Sequence, residues 1–201
     1  MAKLEEEYLR NQGIYCIEGL WDYSGINEKS SIVPVLEIIK NNTYAKFICH
    51  DAATKEEYEF YLKKWHSNKA IHDKYPILYF ACHGEEGAIL LPQKKKFTLE
   101  ELGDILKDKC QNKVLYFGTC STLGAPAKEI KDFIKKTKAL AVIGYKTEVD
   151  WVRSSACDIL NFDAMQIFTF DKKGVEKMKE RITSQIKTLS KELKLEFVIG
   201  D

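Results

Sequence analysis

The sequence predicts an α/β domain: about six mostly parallel strands, flanked by helices. Three observations predict it. Short apolar runs alternate with longer segments whose apolar residues recur at helical spacing. Two of the runs, ILYFA at 77–81 and VLYF at 114–117, are apolar at every position, as strands buried on both faces are. The segments between successive runs are long enough for the crossovers that parallel neighbours require.

The elements follow in order. Residues 1–13 are polar and read as a flexible leader, and 14–201 as a single domain. Ile14–Ile17, between Gly13 and Gly19, is the first strand. Ser31 is a candidate N-cap for a helix carrying Ile32, Val35, Leu36 and Ile39, with Pro34 harmless in its first turn. Ala45–Cys49 is the second strand. Thr54 and Glu57 form a capping box, and Tyr58, Tyr61, Leu62 and Trp65 share one helical face. Ile77–Ala81 is the third strand.

Ala88–Leu91 reads as a strand stub, and LPQKKKFT as a hairpin turn with a solvated lysine run. Thr98 and Glu101 form a second capping box, ahead of Leu99, Leu102, Ile105 and Leu106. Val114–Phe117 is the fourth strand. Ala127, Ile130, Phe133 and Ile134 mark a helix, and Leu140–Gly144 the fifth strand. The polar loop Tyr145–Trp151 leads to a helix over Ser155–Phe168, with Asp150 as a cap. Asp171 caps a longer helix with Val175, Met178, Ile182, Ile186, Leu189 and Leu193 on its apolar face. Leu195–Ile199 is the sixth strand.

Composition narrows the function. The chain is 45% hydrophobic and 30% charged, the balance of a soluble globule. A formal net charge of +1 gives no footing for nucleic acid or acidic membranes as partners. The charged start MAKLEEEYLR is no secretory signal, and no apolar run reaches the length of a membrane span. The expected location is therefore cytoplasmic, where the six cysteines stay reduced. No Cys-x-x-Cys pair occurs. The pairs Cys49-His50 and Cys82-His83 each point to opposite faces of a strand, so no metal is expected. Without a Walker A or G-x-G-x-x-G sequence, no nucleotide cofactor is expected either.

Chemistry sits outside the carboxyl ends of strands in such sheets. There the third strand delivers His83-Gly84 and the fourth delivers Cys120-Ser121. An imidazole beside a thiol can generate the thiolate and later protonate a leaving amine. The backbone N–H groups of Gly84 and Cys120 could face a developing oxyanion. Taken singly, a cysteine is more often a small core hydrophobe and a loop histidine incidental. It is the pairing at two strand ends that favours chemistry.

These residues carry a resemblance. ACHG at 81–84, AILL at 88–91, FTLEEL at 97–102 and VLYFGTCSTLG at 114–124 resemble the caspase-like cysteine peptidases. That group includes caspases, gingipains, legumains, separases and the CHAT domain, whose pattern is the nearest. The motif match spans about a quarter of the chain, and the order of elements nearly all of it. The resemblance implies a caspase-hemoglobinase-like three-layer sandwich and a cysteine endopeptidase. Cys120 would be the nucleophile and His83 the general acid/base, with Gly84 and Cys120 amides as the oxyanion hole. It also implies a protein or peptide substrate, an activating protein partner, and a regulated defence or cell-death setting.

In caspases, loops after the first and fifth strands, with a residue just before the nucleophile, grip an acidic side chain. The matching positions here are Glu18–Asp22, Gly118 and Tyr145–Asp150, the first acidic and the last mixed. An acid-directed pocket is not expected; Glu18 or Asp22 suits a basic side chain, although loop carboxylates are ordinarily just solvated. Trp21 and Trp151 lie near the expected mouth. Two other readings compete: a caspase-like fold kept as a non-catalytic interaction module, and a flavodoxin-like or Toll-receptor-like domain acting on nucleotides. The latter lacks a phosphate loop.

Overall fold

The computed structural model describes residues 11–21 and 31–200. β1 (Ile14–Glu18) leads to α1 (Val33–Asn42), β2 (Phe47–Asp51), α2 (Lys55–Ser67), α3 (Lys69–Lys74) and β3 (Ile77–Ala81). A small antiparallel unit follows: β4 (Gly84–Glu85), β5 (Ala88–Leu91) and β6 (Lys95–Thr98). α4 (Leu99–Ile105), β7 (Val114–Phe117), α5 (Ala127–Thr137) and β8 (Ala141–Tyr145) come next. α6 (Trp151–Ile167), α7 (Lys172–Gln185), α8 (Lys187–Glu192) and β9 (Leu195–Ile199) complete the domain.

The six-stranded sheet runs β2-β1-β3-β7-β8-β9. Its pairings are parallel except for β9, which runs antiparallel to β8. The architecture is thus the expected α/β one, with a mostly parallel central sheet flanked by helices. From β1 the chain first adds β2 on one side, then returns to add β3 on the other. The ends of β1 and β3 are therefore the point where the winding reverses and a crevice opens.

Strand alternation builds the layers. Successive side chains point to opposite faces. In β3, Ile77, Tyr79 and Ala81 enter one core, with α1, α6 and α7. Leu78 and Phe80 enter the other, with α2, α4 and α5. All five β3 residues are buried, as are all four of β7, which explains why both runs lack polar residues.

Local signals set most boundaries. Both expected capping boxes form, at Thr54–Glu57 and Thr98–Glu101. Asp150 and Asp171 accept the N–H groups of Arg153 and Gly174. Ile32 holds the N-cap position of α1, while the Ser31 hydroxyl accepts the Val33 N–H at 3.1 Å.

Several expectations are corrected. Gln12 and Gly13 are tied to the domain, with Gln12 N–H donating to Gln166 Oε1 at 2.8 Å and Gly13 N–H to the Lys74 carbonyl at 3.1 Å. Residues 1–10 lie outside the described residues. α3 was not expected from its polar composition. It puts His72 half-buried, with Nε2 donating to the Lys109 carbonyl at 2.8 Å, not in open solvent. Lys95 and Lys96 belong to β6 rather than to a turn, with their side chains exposed. β8 extends one residue further than expected, taking in Tyr145, and α6 begins at Trp151. The long last helix is two, broken at Ile186, whose backbone leaves the helical region. Among the described residues, no helix is long and apolar enough to cross a membrane.

Candidate active site

The end of β3 divides two neighbours. Cys82 points into the α2 side, and burial pushes its thiol up to about 12. His83 follows the strand, and its carbonyl accepts the Leu90 N–H at 2.8 Å, tying it to β5. Its Nε2 lies 2.8 Å from the Trp21 carbonyl. A carbonyl only accepts, so Nε2 carries a proton. The Trp21 ring meets that imidazole edge-on at 5.5 Å, and the Trp151 ring at 4.4 Å.

The end of β7 is held from several sides. Gly118 N–H donates to the Phe80 carbonyl at 2.9 Å, continuing the sheet bonding one residue beyond β7. Thr119 donates to the Thr122 hydroxyl at 2.6 Å, and Thr122 donates to the Ala88 carbonyl at 3.0 Å. Ser121 takes the left-handed conformation, φ 60°, and its N–H donates to the Thr147 carbonyl at 3.0 Å. The chain is thus turned sharply just after Cys120. The half-buried Cys120 thiol donates to the Val149 carbonyl at 3.9 Å.

Gly84 links the two ends. A Cβ there would sit 2.6 Å from the Cys120 carbonyl and 2.5 Å from the Thr122 hydroxyl, so only glycine lets the loops touch. Its register opposite Ile89, flanked by the Leu90 N–H to His83 carbonyl bond, makes the pair a non-hydrogen-bonded one. The ladder therefore leaves the Gly84 N–H unengaged. Among the described residues, no acceptor meets the Cys120 N–H either.

His83 and Cys120 line one cavity of about 210 Å³. Trp21, Val149 and Trp151 line it, together with the buried Tyr79 and Asp158. Of the five substrate-binding positions expected from sequence, Gly118 and Trp151 line this space. Gly118 has no side chain because a Cβ there would collide with the Tyr79 ring.

Glu18 and Tyr145 do not line it as expected. Glu18 is buried, and its carboxylate accepts Trp21 Nε1–H at 2.6 Å, Ser31 Oγ–H at 2.8 Å and Ile32 N–H at 2.6 Å. It fastens the exit of β1 to the entry of α1. Tyr145 is buried as the last residue of β8, with its hydroxyl donating to Asp158 at 2.6 Å. Asp22 lies outside the described residues.

Asp158 is the group that sequence reading missed. Its carboxylate accepts the hydroxyls of Tyr79 at 2.6 Å, of Tyr145, and of Tyr116. Burial raises its pKa, and the three hydrogen bonds pull the other way. Burial, and next the nearby carboxylate, hold all three tyrosines well above their ordinary range. Asn161 Nδ2 donates to the Tyr116 hydroxyl at 2.6 Å. A signal was present: Ser154, Asp158 and Asn161 recur at one turn and two turns along α6, a polar stripe on a face that packs inward.

The other cysteine–histidine pair separates as strand alternation requires. Cys49 Sγ lies 3.9 Å from Glu18 Oε2, whereas His50 stacks on Tyr61 at 4.2 Å. Among the described residues, no three His, Cys, Asp or Glu side chains converge to hold a metal ion.

No curated protein matches the chain. Residues 11–198 match the profile described as a family of unknown function, DUF6642, and the chain belongs to that family.

Proposed function

We propose that this DUF6642 chain is a cysteine endopeptidase of the caspase-like, CHAT-domain type. The observation that carries the proposal is the cavity lined by both His83 and Cys120, at the carboxyl ends of adjacent parallel strands.

The chemistry runs through those two side chains. The Cys120 thiol passes its proton to the His83 imidazole, and the thiolate attacks the scissile carbonyl carbon. The Gly84 and Cys120 N–H groups face the resulting oxyanion. Collapse of the tetrahedral intermediate breaks the C–N bond, and the imidazolium protonates the departing amine. Water, deprotonated by His83, then hydrolyses the thioester. Throughout, the Trp21 carbonyl keeps its bond to Nε2–H, which holds the ring in place. Trp21 acts here through its main chain as a positioning residue. The substrate is a protein or peptide. A partner that gates the activity, in a cytoplasmic defence or cell-death setting, follows from the family resemblance.

A second reading has one observation in its favour. The thiol's hydrogen bond goes to the Val149 carbonyl rather than to the imidazole. A catalytically silent caspase-like domain that binds proteins is the alternative. Dyads in unliganded enzymes are often loose, so this geometry does not decide between them.

A panel of peptidyl acyloxymethyl ketones, applied to wild type, Cys120→Ala and His83→Ala, separates the two. The peptidase labels at Cys120, slowly in His83→Ala and not at all in Cys120→Ala. Labelling that persists equally in Cys120→Ala removes the nucleophile and leaves the binding-module reading.

A further inference from the structure

Three buried polar groups lining the cavity, Tyr79, Ser154 and Asp158, offer lone pairs rather than hydrogens, and the half-buried Ser155 hydroxyl can still donate. Tyr79 donates its hydroxyl hydrogen to Asp158. Ser154 donates to the Trp151 carbonyl at 3.1 Å. Asp158, when ionised, only accepts. His83 Nε2–H is engaged by Trp21 and the Cys120 thiol by Val149. Among the described residues, no lysine or arginine lines the space. At the three buried groups a carboxylate guest would meet acceptors facing acceptors.

The size is also telling. About 210 Å³ lies below the roughly 300–1,000 Å³ of sites that enclose a whole drug-sized ligand. It suits one side chain. Trp21 and Trp151 both line it, and tryptophan rings attract cations. The buried Asp158 carboxylate has three hydroxyl donors and no cationic partner among the described residues.

We propose that this cavity is the specificity pocket for a cationic side chain, lysine or arginine, and that the buried Asp158 determines that preference. The inference rests on the peptidase reading for the position it would fill, the residue whose carbonyl Cys120 attacks. Pocket binding itself can be tested without turnover. The basic preference expected of Glu18 thereby moves to a residue on α6. Glu18 is already saturated by Trp21, Ser31 and Ile32.

In the test, the full chain is alkylated with iodoacetamide in the presence of agmatine, a guanidinium on a short alkyl stem, or of hexanoate. Modification is read at Cys120 by mass spectrometry. Agmatine is expected to protect Cys120 and hexanoate is not. In Asp158→Asn the apparent agmatine affinity falls roughly 10- to 100-fold, the size of a lost charge-assisted hydrogen bond. Asp158→Asn disturbs a buried network, so Ser155→Lys is run beside it. Ser155 lines the cavity and is half-buried, so a lysine there sets a tethered ammonium at the wall and leaves the tyrosine cluster in place. It too should abolish protection. Protection by hexanoate equal to that by agmatine, or full agmatine protection in Ser155→Lys, overturns the pocket.

A peptide panel then separates this inference from the reading beneath it. Cleavage after lysine or arginine supports both. Cleavage after aspartate or leucine, with basic residues refused, removes the cationic pocket and leaves the peptidase. Agmatine protection with no peptide cleaved keeps the pocket and removes the peptidase.

Discussion

On the side of α2, α4 and α5, the sheet presents Tyr15, Ile17, Phe80 and Phe117 to Leu62, Trp65 and Phe133. Two polar side chains there bond to nearby main chain: Tyr15 donates to the Tyr61 carbonyl at 3.1 Å and Trp65 to that of Tyr75 at 3.0 Å. On the side of α1, α6 and α7, the same strands present Tyr79, Tyr116 and Tyr145, and three hydroxyls converge on one carboxylate. The cavity shared by His83 and Cys120 takes most of its lining from this second side, with Cys82 reaching it from the first. Apolar side chains close up on one another, whereas a hydrogen-bonded cluster holds its atoms at fixed separations. One face thus supplies cohesion and aligns the strand ends, and the other supplies a recess.

Four experiments can break or sharpen that contrast. The largest effect is expected on the apolar side. Trp65→Ala removes a fully buried ring and should cost about 3–5 kcal/mol in denaturant unfolding. A loss under 1 kcal/mol would show that this face is not the one carrying stability. Next comes the junction between the loops. Gly84→Ala forces a methyl against the Cys120 carbonyl and should cost about 1–3 kcal/mol. Its effect on Cys120 labelling should be larger than on unfolding, because the strain falls on the nucleophile's own backbone.

Thr122→Val, at a position with no exposed surface, strips the Ala88 carbonyl of its donor and the Thr119 hydroxyl of its acceptor. About 1–2 kcal/mol is expected, with faster amide exchange confined to the β4–β5–β6 unit. Unchanged exchange there would mean that the threonine pair does not hold the hairpin to the Cys120 loop.

The smallest effect is a slope. Burial raises the Asp158 carboxyl in the folded chain, so the folded state holds a proton that the unfolded state releases first. Both states are protonated below the ordinary carboxyl value of about 3.9. As pH rises from there through the raised folded value, the unfolded form gains, and stability is lost before levelling off. Tyr79, Tyr116 and Tyr145 face this carboxyl and stay neutral over that range. The unfolding free energy of wild type minus that of Asp158→Asn should therefore fall with pH across the acid range. A flat difference would mean that the tyrosine hydroxyls fully offset the burial.

What was legible in the sequence follows from range. Thr54–Glu57, Thr98–Glu101, Asp150 and Asp171 act within one turn of helix, and each reads directly. The apolar runs of β3 and β7 read because burial on both faces leaves no place for a polar residue. His83 and Cys120 could be put at neighbouring strand ends by the same reasoning, and both do line one cavity. Side-chain direction at the ends of strands was not legible. Tyr145 seemed a loop residue, yet one more residue of β8 turns it into the core. Glu18 closes β1 and is taken up by partners 3, 13 and 14 residues away, which no local pattern announces. Asp158 escaped because a buried carboxylate is recognisable only once its three tyrosines, from three different strands, are seen around it.

The six cysteines carry a practical consequence. Cys16, Cys82, Cys110 and Cys157 are buried, and burial raises all four thiols, Cys82 and Cys157 to about 12. Cys49 and Cys120 alone are half-exposed. Native packing thus makes the domain chemoselective. A mild electrophile meets a protein with two available sulfurs while it is folded and six once it is denatured. Titrating thiols becomes a built-in gauge of how much of a sample is native, independent of any activity.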